Sequence, residues 1–347
     1  MKIFEKMNQH NYEQIVFFQD KDNDLRAIVA LHNTSLGPAL GGLRIKEYAS
    51  DEQALEDVLR LSRGMTFKNA AADLKLGGAK AVIILKPGMT KTPYMIKSFA
   101  RFVDTLHGRY ITSQDIGVTT SDLKLMSSQT NYVCGDKIPP SPYTAYGVLK
   151  GILASAKFLW NNEDLNNKVV AIQGIGAVGY ELAKLLVDRG CKIIVADPNQ
   201  VSLQKAKQEL GAKIVDLEAI YDQDADIFAP CALGGVLNHQ TIARLKVKLV
   251  AGSANNQLLS SEIGQLLHEK DILYAPDYII NAGGVIAVAS EINDEDKDAI
   301  IWKCDAIYER LMNVYQYAKI KNIDPNQACN ILTNLHIEKM KNIMRRY

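Results

Sequence analysis

Apolar positions in the first third of the chain follow two different periods. The runs "EQIVFFQD" (13–20) and "LRAIVALHN" (25–33) are strand-like and are parted by the polar, turn-like "KDND", which predicts an opening hairpin. Ser50, with Gln53 three residues later, marks a helix start, and Leu55, Val58, Leu59 and Ser62 then fall along one helical face. The strand "AKAVIIL" (79–85), the helix "TPYMIKSFARFVDTLHG" (92–108) and the strand "RYITSQDIG" (109–117) continue a β-then-α alternation suited to a covered sheet.

Gly and Pro concentrate in "CGDKIPPSPY" (134–143), which reads as a linker or hinge between domains. From Lys168 the alternation becomes regular. Strands "KVVAIQG", "CKIIVAD", "ADIFAPC", "KLVAGSA" and "ILYAPDYII" are separated by helical patterns from Ala177 to about Arg189 and near 200–210, which predicts a mainly parallel sheet. The last fifty residues are helical in pattern and end in the basic "KMKNIMRRY", read as a solvated helix face. The acidic "EINDEDKD" (291–298) reads as a solvated loop rather than a metal site.

Composition narrows the partners. The 347 residues carry 40 Lys and Arg against 39 Asp and Glu, so no net field is available to gather nucleic acid or an anionic membrane surface. Small molecules and copies of the chain remain. Five cysteines without CxxC spacing fit a reducing compartment, and the N-terminal "MKIFEKMNQHNYEQ" lacks an apolar signal-like core, so a cytoplasmic location is expected. The six histidines are scattered, no HExxH or GxSxG occurs, and no bound metal is expected.

"VVAIQGIGAVG" sets Gly174, Gly176 and Gly179 in GxGxxG register after a strand and at a helix start, and Asp197 ends the next strand 23 residues after Gly174. The first glycine suits a tight turn, the second close approach of a pyrophosphate, the third packing of helix on strand; the acid suits both ribose hydroxyls. That carboxylate would repel a 2′-phosphate and "DPNQ" supplies no arginine, so the expected cofactor is NAD rather than NADP. Asn255 and Asn256 follow the carboxyl end of a parallel strand, where ligands usually bind. The fold class expected is thus α/β, an N-terminal α/β domain followed by a Rossmann-type, doubly wound NAD-binding domain. Boundaries are expected at 1–138 and 139–325, with a C-terminal helix, 326–347, packing back toward the first domain.

Three polar clusters stand in the first domain: "GPALGGLR", "GMTFKNAAADLKLGGAK" and "ITSQDIGVTTSDL". By pattern alone Lys80 reads as a cation snorkelling from a strand start, Lys68 as a solvated helix residue and Asp115 as a turn or N-cap carboxylate. Together with "SPYTAYGV", "GIGAVG", "FAPCALGG", "VAGSANNQL" and "YAPDYIINAGGV", however, the clusters resemble the glutamate, leucine, phenylalanine and valine dehydrogenase family over nearly the whole chain, with its leucine-acting branch nearest.

The resemblance implies the roles. Lys68 would bind a substrate carboxylate, Lys80 would activate water and Asp115 would exchange protons with the amino group, in oxidative deamination of an L-amino acid to the 2-oxo acid and ammonia. Partial burial and a neighbouring cation, Lys68, would lower the Lys80 pKa and make it a usable base. Leu40, Gly41, Gly42, Met65, Ser113, Cys134, Val285 and Val288 would complete the substrate site, the glycines letting substrate approach the backbone. Ile175, Ala177, Val178, Cys231, Ala232 and Ala254 would join the glycines, Asp197 and the two asparagines around the cofactor. Glutamate-specific relatives carry lysine at the Leu40 position, so the resemblance implies an aliphatic substrate: leucine, isoleucine or valine. The departures, Ala79 for a third glycine, Ala287 for asparagine and a shortened hinge, leave phenylalanine or tryptophan dehydrogenation and a non-catalytic NAD-binding regulator as the alternatives. If position 79 needs positive φ, its β-carbon would introduce strain. The resemblance also implies a dimer-based homo-oligomer, with an octamer among the assemblies expected.

Overall fold

The computed structural model describes residues 2–344; the end of the basic C-terminal segment, 345–347, lies outside the described residues. In chain order the first part holds α1 (Ile3–His10), β1 (Gln14–Asp20), β2 (Leu25–Asn33), β3 (Ala39–Glu47), α2 (Asp51–Ala71), β4 (Gly77–Leu85), α3 (Pro93–Asp104), β5 (Tyr110–Gln114) and α4 (Thr120–Ser127). These strands form one sheet in the order β1-β2-β4-β3-β5. β1 and β2 are the antiparallel hairpin, β2 pairs antiparallel with β4, and β3 runs parallel to both β4 and β5.

Alternation along β4 explains how that sheet is covered. Ala79, Ala81 and Ile83 point into one core with Met95, Ile96 and Phe99 of α3 and Leu123 of α4. Val82 and Ile84 point the other way, against Leu55, Val58 and Leu59 of α2. Each fully buried aliphatic side chain of this kind contributes about 1.5–3 kcal/mol. α2 starts where its sequence says: the Ser50 hydroxyl accepts the Gln53 N–H at 3.2 Å, and the Gln53 side chain accepts the Ala49 N–H at 2.9 Å. Lys80 shares its face of β4 with Val82 and Ile84, and so lies on the α2 side.

The second part holds α5 (Pro140–Trp160), β6 (Val169–Gln173), α6 (Ala177–Val187), β7 (Lys192–Ala196), α7 (Gln200–Leu210), β8 (Lys213–Ile214), β9 (Ile227–Pro230), α8 (His239–Arg244), β10 (Leu249–Val250), α9 (Ser261–Glu269), β11 (Leu273–Tyr274), α10 (Asp277–Ile280), α11 (Gly283–Ser290), α12 (Lys297–Lys321) and α13 (Pro325–Met344). Its six strands are all parallel in the order β11-β10-β9-β6-β7-β8. Counted within the unit this is 6-5-4-1-2-3, the doubly wound arrangement whose strand order reverses beside the first strand, where dinucleotides bind.

By internal contacts the chain divides into two units: the chain up to Pro139 with Val288–Glu295 and the residues from Thr333 on, and Pro140–Ala287 with Asp296–Leu332. Several local expectations need correction. The Pro-rich stretch is a linker only as far as Pro139. Pro140 and Pro142 begin α5, since in a first turn the missing N–H costs no helical hydrogen bond. "GPALGGLR" (37–44) holds the first six residues of β3, hidden from a propensity reading by its glycines. In "ILYAPDYII" only Leu273 and Tyr274 are strand, and Asp277–Ile280 is helical. Among the described residues no helix is long and apolar enough to cross a membrane.

Candidate functional site

In the first unit, four charged side chains on the α2 face of the sheet form a chain of contacts. The Lys80 Nζ lies 3.2 Å from Oδ2 of Asp115, directly after β5. Arg44 of β3 donates from Nε to that same oxygen at 2.8 Å and from Nη1 to Oδ2 of Asp57, on α2, at 3.0 Å. Tyr48 donates to Asp57 Oδ2 at 2.9 Å and Arg60 to Asp57 Oδ1 at 3.0 Å. Lys80 is buried, with 7% of its side chain exposed; Arg44, Asp57 and Asp115 retain 13%, 12% and 23%.

Burial pushes the Lys80 pKa below the ordinary lysine value, against the pull of Asp115, and the Arg44 cation pushes it further down. Arg44 is thus a neighbouring cation in this balance that the sequence did not point to. Asp57 is driven up by burial, but hydrogen bonds from Tyr48 and Arg60 and the charge of Arg44 outweigh this, so it stays below the usual carboxylate range. Burial and the Asp57 hydrogen bond push the Tyr48 hydroxyl up, so it remains a donor.

The glycines also have a packing role in the sheet. A β-carbon at Gly41 would stand 1.7 Å from the Ala79 carbonyl oxygen, and one at Gly42 2.5 Å from that of Gln114. At Gly78 it would meet the Thr66 backbone nitrogen of α2 at 2.0 Å. Their side-chain space is filled by protein backbone: they draw β3, β4, β5 and α2 together, which brings Lys80 and Asp115 into contact. Ala79 is not in the left-handed region and its methyl is in the core, so the conditional strain at that position does not arise.

Met65 and Lys68 stand on the last turns of α2, both half-buried, while Leu40 of β3 is buried. Ser113, Leu123 and Val288 each come within 3.8 Å of where a β-carbon would stand on Gly135, beside the buried Cys134. Burial keeps the Cys134 thiol protonated, and it donates weakly to the Thr112 carbonyl at 3.7 Å. Val285 and Val288 both stand on α11, Val288 in the first unit and Val285 in the second. Glu291, expected in a solvated loop, is buried: its carboxylate accepts the N–H groups of Gly135 at 2.6 Å, Lys137 at 3.2 Å and Ile138 at 2.6 Å. Those three bonds compensate its burial. Sequence reading missed Arg44, Asp57, Tyr48 and Glu291.

In the second unit the turn after β6 tests directly whether a dinucleotide fits. Gly174 has φ +93°, reserved for glycine in practice, and a β-carbon there would also meet Ala232 at 2.7 Å. A β-carbon on Gly179 would stand 2.1 Å from the Gly174 carbonyl oxygen, so α6 packs on the turn only without one. At Gly176, the exposed N-cap of α6, nothing lies within 4 Å of that position, and no side chain caps the helix. Open space before uncapped helical N–H groups is a phosphate cradle. Ile175 and Val178 fill out the turn, while Ala177 is exposed beside Gly176. Asp197 accepts the Ile175 N–H at 2.8 Å through Oδ2 and the Asn199 N–H at 2.8 Å through Oδ1, so it fixes the turn from the end of β7. Cys231 and Ala232 follow β9; Ala254 is buried after β10, and Asn255 and Asn256 are exposed, Asn255 accepting from Asn281 at 3.1 Å.

The comparisons match both halves. Residues 12–132 fit the family described as Glu/Leu/Phe/Val dehydrogenase, dimerisation domain, and residues 141–344 the Glutamate/Leucine/Phenylalanine/Valine dehydrogenase family. A leucine dehydrogenase from Thermoactinomyces intermedius is 48% identical, with 98% of this chain and 95% of that one aligned. A phenylalanine dehydrogenase from Bacillus thermotolerans is likewise 48% identical, over 94% of this chain and 88% of its own. The crystal structure of L-tryptophan dehydrogenase from Nostoc punctiforme superposes with a TM-score of 0.90 at 40% identity, covering 98% of this chain and 99% of that one. With a dinucleotide-type turn in one unit, a buried lysine–aspartate pair in the other and matches along both, this chain belongs to the glutamate, leucine, phenylalanine and valine dehydrogenase family.

Proposed function

We propose that the chain catalyses the reversible, NAD-dependent oxidative deamination of aliphatic L-amino acids, leucine, isoleucine and valine, to the 2-oxo acid and ammonia. The observation that carries this reading is the buried Lys80 amine 3.2 Å from Asp115. Bound at the 174–179 turn, with its ribose on Asp197, NAD would supply the hydride acceptor for the substrate α-carbon. The chain's own residues do the rest. Lys68 fixes the α-carboxylate. Lys80, whose hold on a proton is weakened by burial, takes a proton in its neutral form from the water that attacks the iminium carbon. Asp115 hands protons to and from the amino nitrogen until ammonia departs.

Leu40 supports an aliphatic side chain in the pocket, because a second carboxylate beside it would be buried unpaired. One methylene is worth only about 1–3 kcal/mol of discrimination, so leucine, isoleucine and valine are all expected to react, and glutamate to react poorly. The equal identity to a phenylalanine enzyme favours an aromatic substrate as the second reading. Initial rates of NAD reduction across a panel of L-amino acids separate the two, and a clear preference for a phenyl or indole side chain overturns the aliphatic assignment.

Asp197 carries the choice of cofactor. The Asp197→Ser variant gives up a charged acceptor, a loss of about 1.5–3 kcal/mol, so KM for NAD should rise roughly ten- to a hundredfold while that for NADP rises less. Initial-rate kinetics with both cofactors check this, and a parent enzyme preferring NADP refutes it. The dimerisation domain matched by the first unit supports a homo-oligomer, measurable by light scattering.

A further inference from the structure

We propose that Arg44, held by Asp57, is a positioning residue that pins Oδ2 of Asp115 and leaves Oδ1 to face the substrate's amino group. The inference rests on the function proposed above and deepens it. Both cations that touch Asp115 do so at one oxygen, Lys80 at 3.2 Å and Arg44 at 2.8 Å, and none of its ion pairs among the described residues falls on Oδ1. Arg44 cannot rotate away, because its other arm is bound to Asp57, itself held by Tyr48 and Arg60. A planar guanidinium with two fixed carboxylates holds a direction as well as a charge, which a lysine cannot do.

The same geometry gives Arg44 and Asp57 opposite electrostatic effects on Lys80. The charged groups that act on Lys80 are Arg44 of β3, Asp115 after β5 and Asp57 of α2; the elements packed on this face also carry Lys46 of β3, Tyr48 just after it and Arg60 of α2, all three on Asp57, Lys68 of α2, and His32 of β2, which is bound to Thr66. His32 is buried and its pKa is pushed down to about 4, so it is neutral through the working range. Arg44 disfavours the protonated amine and Asp57 favours it. Loss of the Arg44 charge therefore moves Lys80 deprotonation to higher pH, and loss of the Asp57 charge moves it lower.

The test compares the parent with Arg44→Gln, Arg44→Lys and Asp57→Asn. The acid limb of kcat/KM for deamination is measured in each, and Lys80 titration is followed separately by pH-dependent acetylation and mass spectrometry, which needs no turnover. Expected are a limb and a labelling midpoint raised by ~1 unit in Arg44→Gln and lowered in Asp57→Asn. Arg44→Lys should keep the parent midpoint but lose kcat about tenfold, because the charge stays and the fork is lost. If Arg44→Gln does not fold, the Arg44→Lys and Asp57→Asn pair decides. Unshifted midpoints, shifts of the same sign in Arg44→Gln and Asp57→Asn, or full kcat in Arg44→Lys overturn the proposal. A parent chain that labels as expected yet deaminates no amino acid refutes the proposed function instead.

Discussion

Lys80→Ala is expected to lower the rate of amino-acid deamination about a thousandfold while the protein stays folded and still binds NADH, the range that loss of a general base commonly costs. Breaking a buried ion pair usually leaves a stranded charge, at a cost of about 3–5 kcal/mol. Here it does not, since Asp115 keeps Arg44 at 2.8 Å. The pH dependence fixes the sign. Lys80 acts as a base only when neutral, and burial lowers its pKa, so deamination in the parent should rise with pH along a limb centred below the usual lysine value. The reverse reaction needs the protonated amine and should fall through the same limb. Stability follows too: a lysine whose folded pKa is lowered binds protons more tightly when unfolded, so its burial penalty is full below the folded pKa and fades as pH rises toward the unfolded value. Lys80→Ala should lose that slope. Stopped-flow hydride transfer, NADH fluorescence titration and denaturant unfolding against pH check the three parts; turnover within tenfold of the parent would refute the role of Lys80.

What could be read in advance depended on how local each physical demand is. The GxGxxG turn was legible because its constraints act within six residues: a positive φ at Gly174, an open N-cap at Gly176 and contact across one turn at Gly179. The start of α2 was legible for the same reason, a hydroxyl three residues from the N–H it accepts. Lys80 and Asp115 stood out only through resemblance, since nothing in "GGAKAV" or "SQDIG" says that they meet. Arg44 was missed because its partners lie 71 and 13 residues away. A signal existed: Leu43 and Ile45 alternate with Arg44 and Lys46, a strand pattern that would have put both cations on one face, but the preceding glycines obscured it. Glu291 left no such trace, because its partners are backbone N–H groups of a loop more than 150 residues earlier.

Adjacent positions in β4 should respond to methyl changes in opposite degree. Gly78→Ala places a β-carbon 2.0 Å from the Thr66 nitrogen and 2.4 Å from its α-carbon, both in the α2 backbone, so no side-chain rotation can relieve the overlap. Either α2 lifts from the sheet or β4 shifts. Both movements disturb Asp57 and Lys68 on the helix relative to Lys80 on the strand, and the Asn69 amide would lose its 2.6 Å bond to the Gly77 carbonyl. Overpacking of this kind costs about 3 kcal/mol or more, and kcat should fall along with stability. Ala79→Gly restores the glycine that resemblance leads one to expect, yet needs no special backbone freedom, because residue 79 is outside the left-handed region and its methyl is packed in the core. It should lose only about 1 kcal/mol, from chain entropy and one buried methyl, with kcat near that of the parent. Equilibrium unfolding in urea with parallel kinetics measures both. Equal losses in the two variants would mean that α2 is not seated on β4 through Gly78, and the account of how Lys80 is buried beneath that helix would fail with it.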